Sequence, residues 1–428
     1  MSMSVDALRP ILQSLTTEGL TAIEGSSFSV DGCRNAIAFF DSQKDELVFS
    51  CASFAAAIDA MVRDEQVTVL YGPNEANRLV LQFVFNACGR YAITRDKTAA
   101  FEETFLRFKT EAETDHWTFR AVANVQNFEC DELPLELEDG ISFRPRSFEE
   151  LGRLLNWGHG ELNRLGEDWR QGGGGSNVLM VEAQVKKTPE NFLLVDDGYQ
   201  LVRAMRMLLA MRLVKPGDIR IGRMFAARPA AFNIGLGGLQ SYGTSHWHHG
   251  PAYKLEAPDL PKIVQVYRDL SALDAQPPKV HRNLRLALRS FGAIYDRLMH
   301  QADDRVVDAV TALEALWKLD MELSFRLAFR TASLLAHSDD ERVALFSQLT
   351  NYYRVRSKVV HGGSLSDEQE RDLRADEPLR DIVRRCLRGF LHLAVTPSEW
   401  TLARLEKEAD ATLMHHVACK ALQEAMQL

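Results

Sequence analysis

Paired cysteines are missing from this sequence. The six thiols, Cys33, Cys51, Cys88, Cys130, Cys386 and Cys419, stand far apart and form no C-x-x-C pair. That spacing argues against a zinc ribbon or a disulfide framework and fits reduced thiols in a cytoplasm. No apolar run approaches the roughly 18 residues a membrane span needs. The opening, MSMSVDALRP, lacks the basic-then-apolar order of a signal peptide. A cytoplasmic chain with no membrane partner is the expectation. Positive charge is also in short supply: 50 Lys and Arg against 59 Asp and Glu leave a net charge of −9. The whole molecule is therefore no basic nucleic-acid coat, and contact with RNA or DNA would require a local basic patch.

Nucleotide and metal signatures are weak as well. YGPNEANR (71–78) lacks the Gly-Lys-Ser/Thr of a phosphate-binding loop, and NIGLGGLQSYG (233–243) neither follows a clear strand nor opens a helix. SHWHHGP carries His246, His248 and His249, but no carboxylate or cysteine sits at ligand spacing. His415 and His416 read as surface or packing residues. Neither a cofactor nor a metal is expected.

A chain of 428 residues has room for two or three domains. The first part mixes strands and helices. DELVFSC (45–51) and VTVLYG (67–72) read as strands, and NRLVLQFVFNA as a packed helix. Trp117, Phe119, Ala121, Ala123 and Val125 alternate with polar neighbours, the pattern of a half-buried strand. Ser147 and Glu150 have capping-box spacing, so a helix is expected to begin there. QGGGGSN (171–177) is a flexible loop by composition. NVLMVEAQV reads as a strand and GYQLVRAMRMLLAMRLV as a helix ending before Lys215-Pro216-Gly217. From about Arg228 to Pro278 the abundance of Gly, Pro and aromatics suggests hairpins and loops.

From about Arg282 the texture turns helical. Leu379, Ile382, Val383, Cys386, Leu387, Phe390, Leu391 and Ala394 form an unbroken helical stripe behind Pro378. Arg380, Arg384, Arg385 and Arg388 then form a basic face opposite it, either solvated or guiding an RNA backbone. Ser338 with Glu341, Ser366 with Gln369, and Thr396 with Glu399 have capping-box spacing. The expected architecture is α+β: a mixed α/β region over 1–140, a second over 141–281 that continues from it, and an all-α bundle over 282–428. Five or six helices are expected there, closed by one long helix from Pro397 to about Gln427.

One stretch of the bundle carries chemistry: NYYRVRSKVVHGG, Asn351 to Gly363. On a helix ended by Gly362-Gly363, His361 falls in the last turn, where unpaired carbonyls and the dipole favour a protonated ring. Ser357 shares its face. At 100° per residue Arg354 lies within about 20° of His361, and Arg356 about 140° away. A histidine that moves a proton and an arginine that holds charge on phosphorus oxygens are the pair an RNA-cleaving site needs. RNA supplies its own nucleophile, the 2′-hydroxyl. The same residues would also serve as ordinary helix-end groups satisfying the last carbonyls. Glu314 falls on the core stripe of its helix, where a carboxylate requires a partner. Arg326 or Arg330 would tie two helices through it; alternatively it faces His361. Tyr352 or Tyr353 could stack on a base or pack in the core.

Three blocks in order, Leu313-Glu314-Ala315-Leu316, then Glu322-Leu323-Ser324 with Arg326-Leu327-Ala328, then Arg356 to His361, resemble the Apea-like branch of the HEPN superfamily. The resemblance covers about residues 285–428. It implies a helical bundle that dimerises, with two R-x4-6-H elements facing each other across the interface. Arg356 of one subunit and His361 of the other then meet in one cleft. It also implies metal-independent endoribonuclease activity, often in phage defence or toxin systems, with RNA as substrate. On that pattern Arg356 and His361 are catalytic. Arg354, Ser357, Glu314 and Tyr353 support them, and Lys358, Arg384, Arg385 and Arg388 contact RNA. Arg354 also satisfies the spacing to His361. The preceding region would act as a sensor or adaptor for an unknown trigger.

Overall fold

The structure, a computed structural model, describes residues 5–25, 48, 50–64, 67, 76–87, 97–145, 177–186, 197–227, 250–297, 301–319 and 321–428. The protein is a mixed α+β molecule with a helical C-terminal region. It divides into two compact units, each built from separated stretches: residues 1–124, 134–203 and 223–242 in one, and 125–133, 204–222 and 243–428 in the other.

In the first unit, α1 (Arg9–Gly25), α2 (Ala52–Arg63), α3 (Ala76–Ala87) and α4 (Lys97–Glu113) pack around one apolar core. Phe101, Phe105, Phe108 and Ala112 recur on one face of α4, and Leu12, Leu15 and Leu20 on one face of α1. Phe83 of α3 meets the edges of Phe101 and Phe108 at centroid distances of 5.8 and 6.0 Å. The two segments expected to be strands here are corrected where they can be seen. Val48 and Val67 are helical and buried in this core. Their β-branched, apolar character was a burial signal, and short apolar runs do not distinguish strand from helix.

The strands are β1 (His116–Gln126), β2 (Phe128–Cys130), β3 (Leu135–Glu136), β4 (Ile141–Pro145), β5 (Asn177–Lys186), β6 (Arg220–Ala227) and β7 (Tyr253–Leu255), with α5 (Asp197–Val214) between β5 and β6. Five form a sheet in the order β3-β4-β5-β1-β6, and β2 pairs parallel with β7. β4 runs antiparallel to both β3 and β5, Ile141 facing Val181 and Phe143 facing Leu179. The helix and strand expected over 177–214 are both present. β1 differs from its expected half-burial, since Ala121 through Gln126 are all buried. The expected helix start at Ser147 and the glycine-rich loop at 171–176 lie outside the described residues, as do the three clustered histidines and the glycines of 233–243.

The second unit is mainly helical. Its helices are α6 (Leu260–Asp274), α7 (Arg282–Asp296), α8 (Ala302–Trp317), α9 (Leu323–Leu335), α10 (Asp339–Val360), α11 (Asp367–Arg374), α12 (Glu377–Val395), α13 (Leu402–Met414) and α14 (His416–Ala425). α12 is the hub, touching α6, α7, α8, α9, α13 and α14, and α8 is packed by α7, α9, α10, α11 and α12. Three expectations are corrected. The loop-rich reading of 228–278 fails at α6, whose Ile263, Tyr267, Leu270 and Leu273 form a buried helical stripe. Among the described residues eight helices follow residue 281 instead of five or six. The expected long last helix is two: Thr401 caps α13 by accepting from Arg404 N, and His415 caps α14 by accepting from Ala418 N on its ring. No Gly or Pro marks that break, so the sequence concealed it. Thr396 ends α12 and caps nothing, whereas Ser338 and Ser366 cap as expected.

The basic face of α12 is the larger surprise. Arg380 and Arg384 are buried, and the face is not solvated. Asp376 receives Arg305 at 2.8 Å and Arg380 at 3.1 Å, with all three side chains at most 6% exposed. Arg384 binds Asp381 at 2.8 Å, Glu377 at 3.2 Å and the Arg212 carbonyl at 2.8 Å. Arg212 lies 4.2 Å from the Tyr295 ring centroid, and burial holds its guanidinium below its ordinary pKa. Helical periodicity identifies which residues share a face but not whether another element covers it.

Gly217 fixes a close approach in this unit. Its φ is +139°, and an added Cβ would lie 2.7 Å from the Tyr253 Cα. Gly217→Ala is expected to destabilise by about 2–3 kcal/mol, read as a lower urea midpoint with an unchanged slope.

Candidate active site

α10 is the longest helix of the second unit. It begins at Ser338, whose hydroxyl accepts from Glu341 N, with three acidic residues in its first turn. Leu349, Tyr352 and Val355 are its buried residues, and they seat it on α8 and α9. Its C-terminal end closes in a Schellman motif: Gly363 N donates to the Lys358 carbonyl at 2.8 Å and Gly362 N to the Val359 carbonyl at 3.2 Å. Gly362 adopts φ +68°, which a glycine tolerates without cost. This closure fixes the backbone of His361, which sits as the helix cap and donates its N–H to Ser357 O at 3.1 Å.

The His361 side chain is exposed. Arg356, one and a half turns earlier, is half-buried and faces α8. Its Nη2 donates to Glu314 Oε2 at 3.2 Å, and its guanidinium lies 5.9 Å from the Tyr353 ring centroid. The Tyr353 phenol also hydrogen-bonds Glu314; burial, with that carboxylate beside it, holds the phenol above its ordinary pKa. Glu314, Tyr353 and Arg356 thus form one cluster between α8 and α10. Arg356 Nε is buried without an acceptor among the described residues. A buried donor without an acceptor costs about 1–3 kcal/mol.

Both partners expected for Glu314 are corrected. Arg330 binds Asp410 through two bonds of 2.6 and 3.0 Å, and Arg326 pairs with Glu322. Glu314 does not face His361 either; it holds Arg356. The reason is the length of α10, which runs beyond the start of α9 and lays its last turns along α8.

Of the remaining expected site residues, Arg354 is exposed, Ser357 is half-buried, and Lys358 is exposed with its Nζ on Gln369 Oε1 at 2.9 Å. Arg385 is half-buried and donates to the Leu335 carbonyl at 3.0 Å. Arg388 is half-buried, and burial lowers its pKa. Arg384 is enclosed and out of reach of a polynucleotide. Sequence reasoning missed the Arg305–Asp376–Arg380 cluster. A signal existed in the arginines spaced through an otherwise apolar helix.

Among the described residues no helix is long and apolar enough to cross a membrane. Comparison with protein-family models, with curated proteins and with solved structures found nothing that matches this chain.

Proposed function

We propose that the chain is a metal-independent endoribonuclease of HEPN type, acting as a homodimer. The observation that carries the reading is the Arg356 guanidinium, 22% exposed and aligned by Glu314, near a helix end that presents His361 to solvent. A phosphodiester oxygen is the kind of acceptor that the exposed edge of such an arginine takes. In the proposed reaction the RNA 2′-oxygen attacks phosphorus as its proton is removed. The P–O5′ bond breaks, and the leaving oxygen takes a proton. A 2′,3′-cyclic phosphate and a 5′-hydroxyl result. His361 of one subunit moves the proton and Arg356 of the other holds the phosphorus oxygens, with Arg354 as a phosphate contact. Met321, Phe325, Val343 and Val360 are large apolar side chains left exposed on and beside α9 and α10, and they suit a subunit contact. The region before the bundle would then sense a trigger, in phage defence or a toxin-like system.

RNA cleavage by the purified chain in EDTA is the direct test, with wild type beside Arg356→Ala and His361→Ala. Glu314→Gln is expected to lower cleavage by about tenfold while costing at most about 1 kcal/mol of stability, since the ion pair is partly exposed. Full cleavage by that variant would show that Glu314 does not position Arg356.

One observation favours a second reading, a module that binds RNA, a nucleotide or a partner protein without cutting. Arg356 is already neutralised by Glu314, which a purely recognitional surface tolerates. Tight RNA binding with wild type and variants equally inert would select it.

A further inference from the structure

Asp218, Asp269 and Asp376 of the helical unit are buried, and arginine holds the first and the last. Asp218 takes Arg220 at 3.0 Å, and Asp376 takes Arg305 and Arg380. Asp269, on α6, has neither an arginine nor a lysine among the described residues. Its Oδ1 accepts from Gln265 Nε2 at 2.8 Å, a neutral donor. Its Oδ2 lies 3.7 Å from Nδ1 of His392, on α12. The two side chains are 11% and 16% exposed, so water does little for either charge.

We propose that Asp269 and His392 form a proton-operated latch between α6 and α12, closed while the imidazole is charged and loosened when it is not. The inference does not rest on the nuclease reading. Histidine is the cation whose charge is optional near neutral pH. Charged, it carries protons on both nitrogens and offers Nδ1–H to Asp269. Neutral, it can turn a lone pair toward the carboxylate, with Thr396 Oγ1, 3.3 Å from the same nitrogen, giving its own proton there. The carboxylate is then left with Gln265 alone. Burial already holds the Asp269 carboxyl above its ordinary pKa, against the lowering by Gln265 and His392. A carboxyl whose pKa is raised by folding adds stability in acid, and that contribution is lost as pH rises through the folded value. Loss of the imidazolium acts in the same direction.

The other charged groups on the packed elements face elsewhere. Arg206 of α5 meets α6 at Ser271 and Asp274, and Arg285 of α7 shares Asp274. Ser271, two residues on from Asp269, points to the opposite side of the helix. Arg305 of α8 is bound to Asp376, and Arg330 of α9 to Asp410 of α13. Arg388, one turn before His392, lies among Arg384, Arg385 and Asp381. His281 sits on the Ala394 carbonyl beside Arg285. From the turn after α14, Gln427 reaches His392 Nε2 at 3.1 Å and does not titrate. Among the described residues, His392 is the ionisable group whose charge bears on Asp269.

The test is equilibrium urea unfolding of the full chain at pH 5 and pH 8, for wild type, Asp269→Asn and His392→Gln. Each replacement keeps a polar side chain and holds its charge at zero. Referred to Asp269→Asn, the wild-type unfolding constant is expected to rise about tenfold from pH 5 to pH 8, the effect of a shift of about one pKa unit. Referred to His392→Gln, wild type is expected to unfold about tenfold less readily at pH 5 and equally at pH 8. Both trends together support the latch. A ratio of wild type to Asp269→Asn that stays within about twofold across this range overturns it. So does a pH response that His392→Gln retains in full, which would belong to Asp269 alone.

Discussion

His361→Ala is expected to abolish RNA cleavage, by about 10²–10⁴-fold, without changing the stability of the chain. The kinetic half follows from the proposed chemistry. The 2′-hydroxyl is a poor nucleophile until its proton is taken, and the leaving 5′-oxygen is a poor leaving group until it is protonated. An alanine does neither. The stability half follows from position. The imidazole is exposed, and His361 holds its place through its backbone N–H on Ser357 O and through the glycine closure behind it. Alanine keeps those bonds, so the urea midpoint should move by no more than about 0.5 kcal/mol. Product ends should be read alongside rate, because a contaminating metal-dependent nuclease survives the mutation and dies in EDTA. Cleavage in EDTA by His361→Ala at the wild-type rate would remove His361 from the mechanism. Arg356→Lys sharpens the assignment. A lysine keeps the charge but loses the planar fork that satisfies Glu314 and a phosphate together, so rescue should be poor.

Asp376→Ala should produce the largest loss of stability, about 3–5 kcal/mol. The Asp376 carboxylate accepts from Arg305 on α8 and Arg380 on α12, and the three side chains are almost wholly out of water. Removing the shared anion leaves two buried guanidinium groups. Arg380 retains Glu377 at 2.8 Å, and Arg305 loses its 2.8 Å ion pair. A double variant separates this account from simple cavity formation. Arg305→Met in the Asp376→Ala background removes one of the two buried guanidinium groups that faced the lost carboxylate and should recover much of the loss. A cavity would instead make the double variant no better than the single one. Equilibrium urea unfolding of both variants decides the matter. A loss below about 1 kcal/mol for Asp376→Ala would mean that water reaches the cluster.

Much of the helical unit was legible before any coordinates. The stripe from Leu379 to Leu391 places α12 in the core, Ser338 and Ser366 cap the helices they precede, and Gly362 ends α10 in the left-handed turn that glycine permits. These are local effects, decided within one or two helical turns. The partner of Glu314 was not legible, because Arg326, Arg330 and Arg356 all offer a guanidinium. Which one arrives depends on how far α10 extends past α9. Nor was the fate of the α12 arginines. Arg384 and Arg385 are neighbours in sequence, yet one is enclosed with two carboxylates and a carbonyl while the other caps the end of α9 half in water.

By itself, then, the sequence determined the Ser338 and Ser366 caps, the glycine end of α10 and the apolar face of α12, because hydrophobic periodicity and capping act over a few residues. It also placed Arg356 and His361 at one helix end, five residues and about 140° apart. Only the tertiary structure decided which charges are buried and with whom they pair. Desolvation depends on what covers a face, and a charge forced out of water takes whichever opposite partner the packing brings within about 3 Å. That is why Glu314 holds Arg356, and why a face that reads as basic surface lies inside the bundle.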